Sequence, residues 1–168
     1  MYPYADYIAV NISSPNTPNL RSLHQKENFL PLFEALHLAR NEAKYRNPIF
    51  IKLSPDEDEQ IIAEILVAIK KFEFDGVIAS NTTVRKDNLR YSGQYNLEGG
   101  LSGRPLLDKS NELLKFTHSH APEILKIGVG GVDSKESFNS KLDNGASLVQ
   151  IYTSFIYQGP EIVNKLLR

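Results

Sequence analysis

Five polar side chains, Asn11, Ser13, Ser14, Asn16 and Thr17, fall within seven residues directly after the apolar run 7–10. Pro15 and Pro18 stiffen the loop that carries them. Asparagine amides pair donors with acceptors and suit a planar, amide-rich or carboxylated substrate, while a serine relays or accepts a proton where its surroundings activate it. An Asn/Ser/Pro turn rich in local hydrogen bonds is the plain alternative.

Lys52 continues the apolar run Ile49, Phe50, Ile51, where a strand would enter a central cavity. A lysine is costly to bury unpaired. Its amine is therefore expected to meet a protein carboxylate or an electron-rich ligand such as a reduced flavin ring, unless it sits at the rim with its amine in water. Gly128-Val129-Gly130-Gly131 lies between an apolar run and a helix expected to start near Ser134. Glycines there let backbone N–H groups approach an anion, and a helix N-terminus adds a favourable dipole; a tight strand-to-helix connection uses the same residues. Tyr152 and Thr153 follow the next apolar run and either complete a phosphate cradle with that loop or cap a neighbouring helix.

The stretch from Val84 to Pro105 exceeds twenty residues and ends in Gly99-Gly100-Leu101-Ser102-Gly103. Loops of that length in compact domains are usually functional or disordered, so a lid or ligand-contacting loop is expected. Its Arg85, Lys86 and Arg90 read as solvated surface. His24, His37, His118 and His120 lack partner carboxylates at metal-ligand spacing and read as structural. Asp56, Glu57, Asp58 and Glu59 are explained by the start of a helix. With no cysteine, disulfides, thiolate metal sites and a cysteine nucleophile are excluded. A net charge of -1, from 19 basic and 20 acidic residues, gives no electrostatic reason for a nucleic-acid or anionic-membrane partner. The first residues lack a signal-peptide pattern and no run is long enough to span a bilayer, so the chain alone is expected to be soluble.

The elements that must position these groups are legible as an alternation. Apolar runs at 7–10, 49–53, 76–79, 124–129 and 148–151 read as buried parallel strands. Between and after them, helices are expected near 28–43, 56–71, 106–118, 134–142 and 160–168; Ile62, Ile65, Leu66 and Ile69 recur at helical spacing, with Lys70 and Lys71 closing that helix. At 168 residues, one domain covering 1–168 is expected. Five β/α units fit an open doubly wound sheet or part of a closed barrel. Polar groups gather at the strand ends: Asn11, Lys52, Ser80-Asn81-Thr82-Thr83, Gly130-Gly131 and Tyr152-Thr153. Barrel active sites collect there, and a barrel places ligand phosphate on the loops after its last two strands. The fold class expected is α/β, about five β/α units forming the C-terminal part of a (β/α)8 TIM barrel. A whole barrel takes roughly 250 residues and eight units, so about three N-terminal units are expected to be lacking, with Met1 just before the fourth strand.

Asn-Ile-Ser-Ser-Pro-Asn-Thr-Pro-Asn-Leu-Arg-Ser-Leu at 11–23 resembles the signature loop of the quinone-dependent, class 2 dihydroorotate dehydrogenases. Matches follow in order at 51–53, 80–83, 99–103, 127–131 and 145–153, so the resemblance spans essentially the whole chain. It implies an FMN-binding (β/α)8 barrel. Carried over residue by residue, it makes Ser14 the base that takes a proton from dihydroorotate while hydride passes to the flavin. Asn11, Asn16, Asn81 and Thr82 would hold substrate; Asn11, Lys52, Ser80, Gly103, Gly131, Tyr152 and Thr153 would hold FMN. Class 1 relatives carry cysteine where Ser14 stands, which implies class 2 and a quinone acceptor; Thr17 or a water would assist the serine. Asn19 and Ser80 replace the family's usual glycine and threonine.

The resemblance implies oxidation of dihydroorotate to orotate in de novo pyrimidine biosynthesis. It also implies that the family's N-terminal flavin loop, substrate lysine and membrane-associating helices lie upstream of Met1. The parent enzyme would be peripheral to the bacterial inner membrane, or alternatively the mitochondrial inner membrane. Two other readings stay open: a catalytically inactive fragment of that enzyme, and a phosphate-binding barrel module without redox chemistry.

Overall fold

The computed structural model describes residues 4–14, 23, 25–86, 89 and 99–168. Five strands, β1 (Ile8–Asn11), β2 (Ile49–Leu53), β3 (Gly76–Ala79), β4 (Leu125–Val129) and β5 (Leu148–Gln150), form one sheet in chain order. Every pair is parallel. A doubly wound sheet reverses its strand order and binds ligand at the reversal. This order never reverses, so right-handed crossovers lay the helices against one face, as in the wall of a (β/α) barrel.

The helices are α1 (Lys26–Glu42), α2 (Glu59–Lys71), α3 (Leu107–His120), α4 (Lys135–Asp143), α5 (Thr153–Gln158) and α6 (Ile162–Leu167), with a 3-10 turn at Arg104–Leu106 leading into α3. Strand alternation sorts the apolar side chains. Ile49, Ile51 and Leu53 of β2 and Val77 and Ala79 of β3 point to the helices, where they join Phe33 of α1, Ile62, Ile65 and Ile69 of α2 and Leu114 of α3. Phe50, Ile78 and Ile127 point the other way and form a small inner cluster with Val129. Val132, Ile162 and Leu166 close a third cluster with Phe138, Val149 and Ile151.

Two departures from expectation bear on the site. The second helix begins at Glu59 with Asp58 as its cap, so Asp56 does not belong to a helix N-terminus. Its carboxylate is taken instead by Thr83, Val84 and Lys109. Thr153–Gln158 forms α5, which the sequence did not announce. Around α4 the expectation is met: Ser134 caps it, accepting from Ser137 N at 3.3 Å, while Ser137 Oγ accepts from Ser134 N at 3.0 Å.

Candidate active site

Because all strands run parallel, their C-terminal ends share one edge, and that edge opens into a cleft of about 1040 Å³. Of the residues singled out from sequence, Lys52, Ser80, Asn81, Thr82, Gly103, Gly131, Tyr152 and Thr153 line it. Asn11 and Ser14 lie at the β1 margin, and Asn16 and Thr17 fall outside the described residues.

At that margin the strands bring side-chain amides together. Asn11 pairs in register with Lys52 on β2. From beyond β3, Asn81 Nδ2 donates to Asn11 Oδ1 and to Ser13 Oγ, both at 3.1 Å. Its Oδ1 accepts from Thr82 N at 2.8 Å. These bonds fix the Asn81 amide in one orientation. Asn11 Oδ1 also accepts from Ser13 N and Oγ, at 3.3 and 3.2 Å, which leaves Asn11 Nδ2 without a protein partner among the described residues. Asn11 therefore offers two N–H donors to a ligand. Ser13, fully buried, is the pivot of this network. The sequence displayed it among the loop's polar residues but gave no reason to prefer it. Ser14 follows it, half-buried.

Lys52 sits on the cleft side of β2, half-buried. Burial lowers its pKa from the ordinary 10.5, and no carboxylate among the described residues offsets that effect. A partly desolvated ammonium without a counter-ion is a site for an anionic or electron-rich ligand.

The opposite end is built from main chain. Gly103 and Gly131 both have φ of +78°. A Cβ on Gly103 would lie 3.1 Å from Thr153 Cγ2; one on Gly131 would lie 2.5–2.7 Å from Cβ, Cα and N of Leu107. Both conformation and close approach thus require glycine. Thr153 Oγ1 donates to Ser102 Oγ at 2.9 Å. Ser154 Oγ, buried beside them, has no hydrogen-bond partner among the described residues. An orphaned hydroxyl next to two glycine-lined backbone turns fits an oxygen-rich anion such as phosphate. Tyr152 lines the same end, 75% exposed. Neither Ser102 nor Ser154 was selected from sequence; their adjacency to Gly103 and Thr153 was the available signal.

The buried Ser80 hydroxyl donates to Asn81 O at 2.8 Å, in the turn that carries Asn81. The long loop is gathered at its base, where Thr83 and Leu101 form an antiparallel bridge. Asp56 braces that bridge: Oδ2 accepts from Val84 N at 2.8 Å, and Oδ1 accepts from Thr83 Oγ1 and, at 2.8 Å, from Lys109 Nζ. Burial alone would raise the Asp56 carboxyl. The hydrogen bonds and the Lys109 charge outweigh it and hold the pKa at about 2. The histidines lie elsewhere: His37 contacts Phe72 O on the helical side, and His120 stacks on Phe116. His24 is outside the described residues.

Comparison with known proteins agrees with this geometry. The family model described as dihydroorotate dehydrogenase matches residues 1–168. A dihydroorotate dehydrogenase (quinone) of Psychromonas ingrahamii is 45% identical over 99% of this chain and 51% of its own length. One from Idiomarina loihiensis is 44% identical with the same coverage. Among solved structures, ligand-free DHODH from Eimeria tenella superposes with a TM-score of 0.90 at 28% identity, covering 96% of this chain and 49% of that one. The same enzyme in complex with ferulenol gives 0.90 at 27%. The chain spans about half the length of the curated relatives it matches. With the parallel β/α wall, the shared cleft edge and the full-length family match together, the chain belongs to the dihydroorotate dehydrogenase family.

Proposed function

We propose that this cleft is the FMN and substrate site of a quinone-linked dihydroorotate dehydrogenase, which oxidises dihydroorotate to orotate in pyrimidine synthesis. The observation that carries the reading is Lys52, a half-buried cation without a counter-ion among the described residues, standing between an amide cluster and a glycine cradle. A phosphate-only module would account for the cradle and leave Lys52 and the Asn11–Asn81 network without a purpose. FMN, when bound, supplies the hydride acceptor.

Gly103, Gly131, Thr153 and Ser154 would hold its phosphate, Ser80 and Tyr152 would flank it, and Lys52 would supply positive charge to the electron-rich ring. Asn11, with Asn16, Asn81 and Thr82, would orient the substrate, Asn81 acting mainly by fixing Asn11. Ser14 would accept the substrate proton as hydride leaves; its neighbour Ser13 is locked by Asn81 at 3.1 Å, which stiffens the base's backbone. Quinone would reoxidise the flavin, with the parent protein peripheral to the cytoplasmic membrane. Among the described residues no helix is long and apolar enough to cross a membrane.

The test is to purify the chain with FMN, desalt it, and add dihydroorotate without oxygen. Retained flavin absorbance that bleaches on addition is the expected result. Loss of all flavin on desalting would overturn the FMN assignment; flavin retained but unbleached would overturn the substrate assignment. In the active protein, Ser14→Ala should slow bleaching about 100-fold or more while FMN stays bound.

A further inference from the structure

Behind the glycine cradle, and outside the cleft, lies a lysine that the proposed reaction does not use. Lys141 of α4 is fully buried. Its stem passes Gly128, where a Cβ would lie 3.1 Å from Lys141 Cδ, so the glycine makes room for it. Its ammonium donates to Ser110 Oγ on α3. Ser110 Oγ in turn reaches Gly130 O at 3.1 Å and Leu107 O at 2.9 Å. Leu107 is the residue against which Gly131 packs. The amine thus reaches the Gly130–Gly131 turn and the residue packed on it through one hydroxyl.

Among the described residues nothing neutralises this charge at close range. Among the described residues Lys141 forms no ion pair; burial is the main influence on it, and the Asp108 carboxylate at the start of α3 opposes that influence from a distance. Other charged groups on the packed elements are engaged or turned outward. Lys109 pairs with Asp56, Lys126 of β4 binds the carbonyls of Ala121, Pro122 and Ile124, and Glu112, Lys115 and His118 of α3 and Lys165 of α6 are exposed. Lys135, Glu136 and Asp143 on α4 itself are exposed too. β5 carries no charged residue.

An isolated buried ammonium is destabilising unless an anion lies within reach, and the cradle on the far side of Gly130 is the place for one. We propose that Lys141 is a positioning residue for the phosphate end of the cleft, holding the Gly130–Gly131 turn through Ser110 and supplying the buried positive charge that makes the cradle favour a phosphorylated flavin. The inference rests on the flavin reading above. It adds that discrimination between FMN and riboflavin depends on a side chain that touches neither.

Burial brings the Lys141 pKa down from 10.5 to about 8 in the free protein. A phosphate dianion across the turn favours the charged form, so binding should raise it. The experiment follows the Lys141 side-chain NMR signal against pH in the free chain, with FMN and with riboflavin. Expected are titration near 8 in the free chain, an upward shift of about one unit or more with FMN, and little change with riboflavin. One unit corresponds to roughly tenfold in affinity. Lys141→Met should accordingly weaken FMN binding about tenfold while leaving riboflavin binding within twofold.

A free-chain titration at the ordinary lysine value, or equal shifts with the two flavins, would overturn the proposal. So would a parallel loss of FMN and riboflavin affinity in Lys141→Met, which is what a purely structural lysine would give. If Lys141→Met does not fold, the titration of the unaltered chain decides alone. Binding of neither flavin would overturn the flavin reading itself and this inference with it, whereas flavin bound without a shift overturns only the role of Lys141.

Discussion

At the Gly103–Gly131 end of the cleft the protein offers main chain held in close contact, with hydroxyls beside it; at the Asn11–Asn81 end it offers side-chain amides held by one another. The first end is specified by shape, because a Cβ on Gly131 meets Leu107 at 2.5 Å whatever its chemistry. The second is specified by donor and acceptor identity, because Asn81 bonds Asn11, Ser13 and Thr82 at once. The two ends should therefore fail in different ways: added volume damages the first, and altered polarity at constant volume damages the second. A cradle for a shared cofactor group needs only geometry, while the end that handles the reacting molecule needs particular functional groups.

The largest effect is expected from Gly131→Ala. Positive φ and the contact with Leu107 together should cost about 3 kcal/mol or more and abolish FMN retention, measurable by denaturant unfolding and desalting. Asn81→Leu comes next. It keeps the volume but removes the donor to Ser13 Oγ and one of the three donors to Asn11 Oδ1, so a loss of about 1–3 kcal/mol is expected. Bleaching by dihydroorotate should fall about 100-fold through misplacement of Asn11, while FMN affinity changes only a few-fold. Equal damage to both properties would erase the distinction between the ends.

Asp56 joins the two ends, since it takes Thr83 and Val84 from the amide side and Lys109 from α3, the helix that abuts Gly131. Its pKa of about 2 lies below the unfolded value near 3.9. Its contribution is thus fully present above about pH 5 and is lost as pH falls through 4 toward 2, amounting to about 2 kcal/mol. Acid unfolding of the chain should show that loss, and Asp56→Asn should remove the dependence across that window. The smallest effect is expected for Tyr152→Phe. With the residue 75% exposed, removing its hydroxyl should change stability by less than about 0.5 kcal/mol and FMN affinity by less than about twofold.

The fold was readable from sequence where the signal was local. Buried parallel strands appear as short apolar runs, and those at 49–53 and 76–79 coincide with β2 and β3. Ser134 announced α4 because capping is chemistry within four residues. Helix α5 escaped because six residues with Phe155, Ile156 and Tyr157 all exposed carry no amphipathic period. Asp56 was misread because its partners lie 27 to 53 residues further on, while the acids beside it mimic a helix start. Lys126 stood visibly inside an apolar run, and its meaning emerges only where its ammonium caps the end of α3. Lys141 gave no signal, because its burial depends on Gly128 and Ser110 on two other elements. Seven of the eight cleft residues were legible because strand ends converge in any parallel sheet of this winding, and Gly103 through the glycine cluster at the end of the long loop.

The central claim is that one cleft edge holds FMN by its phosphate at the glycine end and presents its ring toward Lys52. A crystal structure of the chain grown with FMN tests it most directly. The account predicts density with the phosphate against Gly103, Gly131 and Thr153 and the ring beside Lys52. Flavin bound elsewhere on the chain with this cleft empty, or seated in it with the phosphate at the Asn11–Asn81 end, would contradict it.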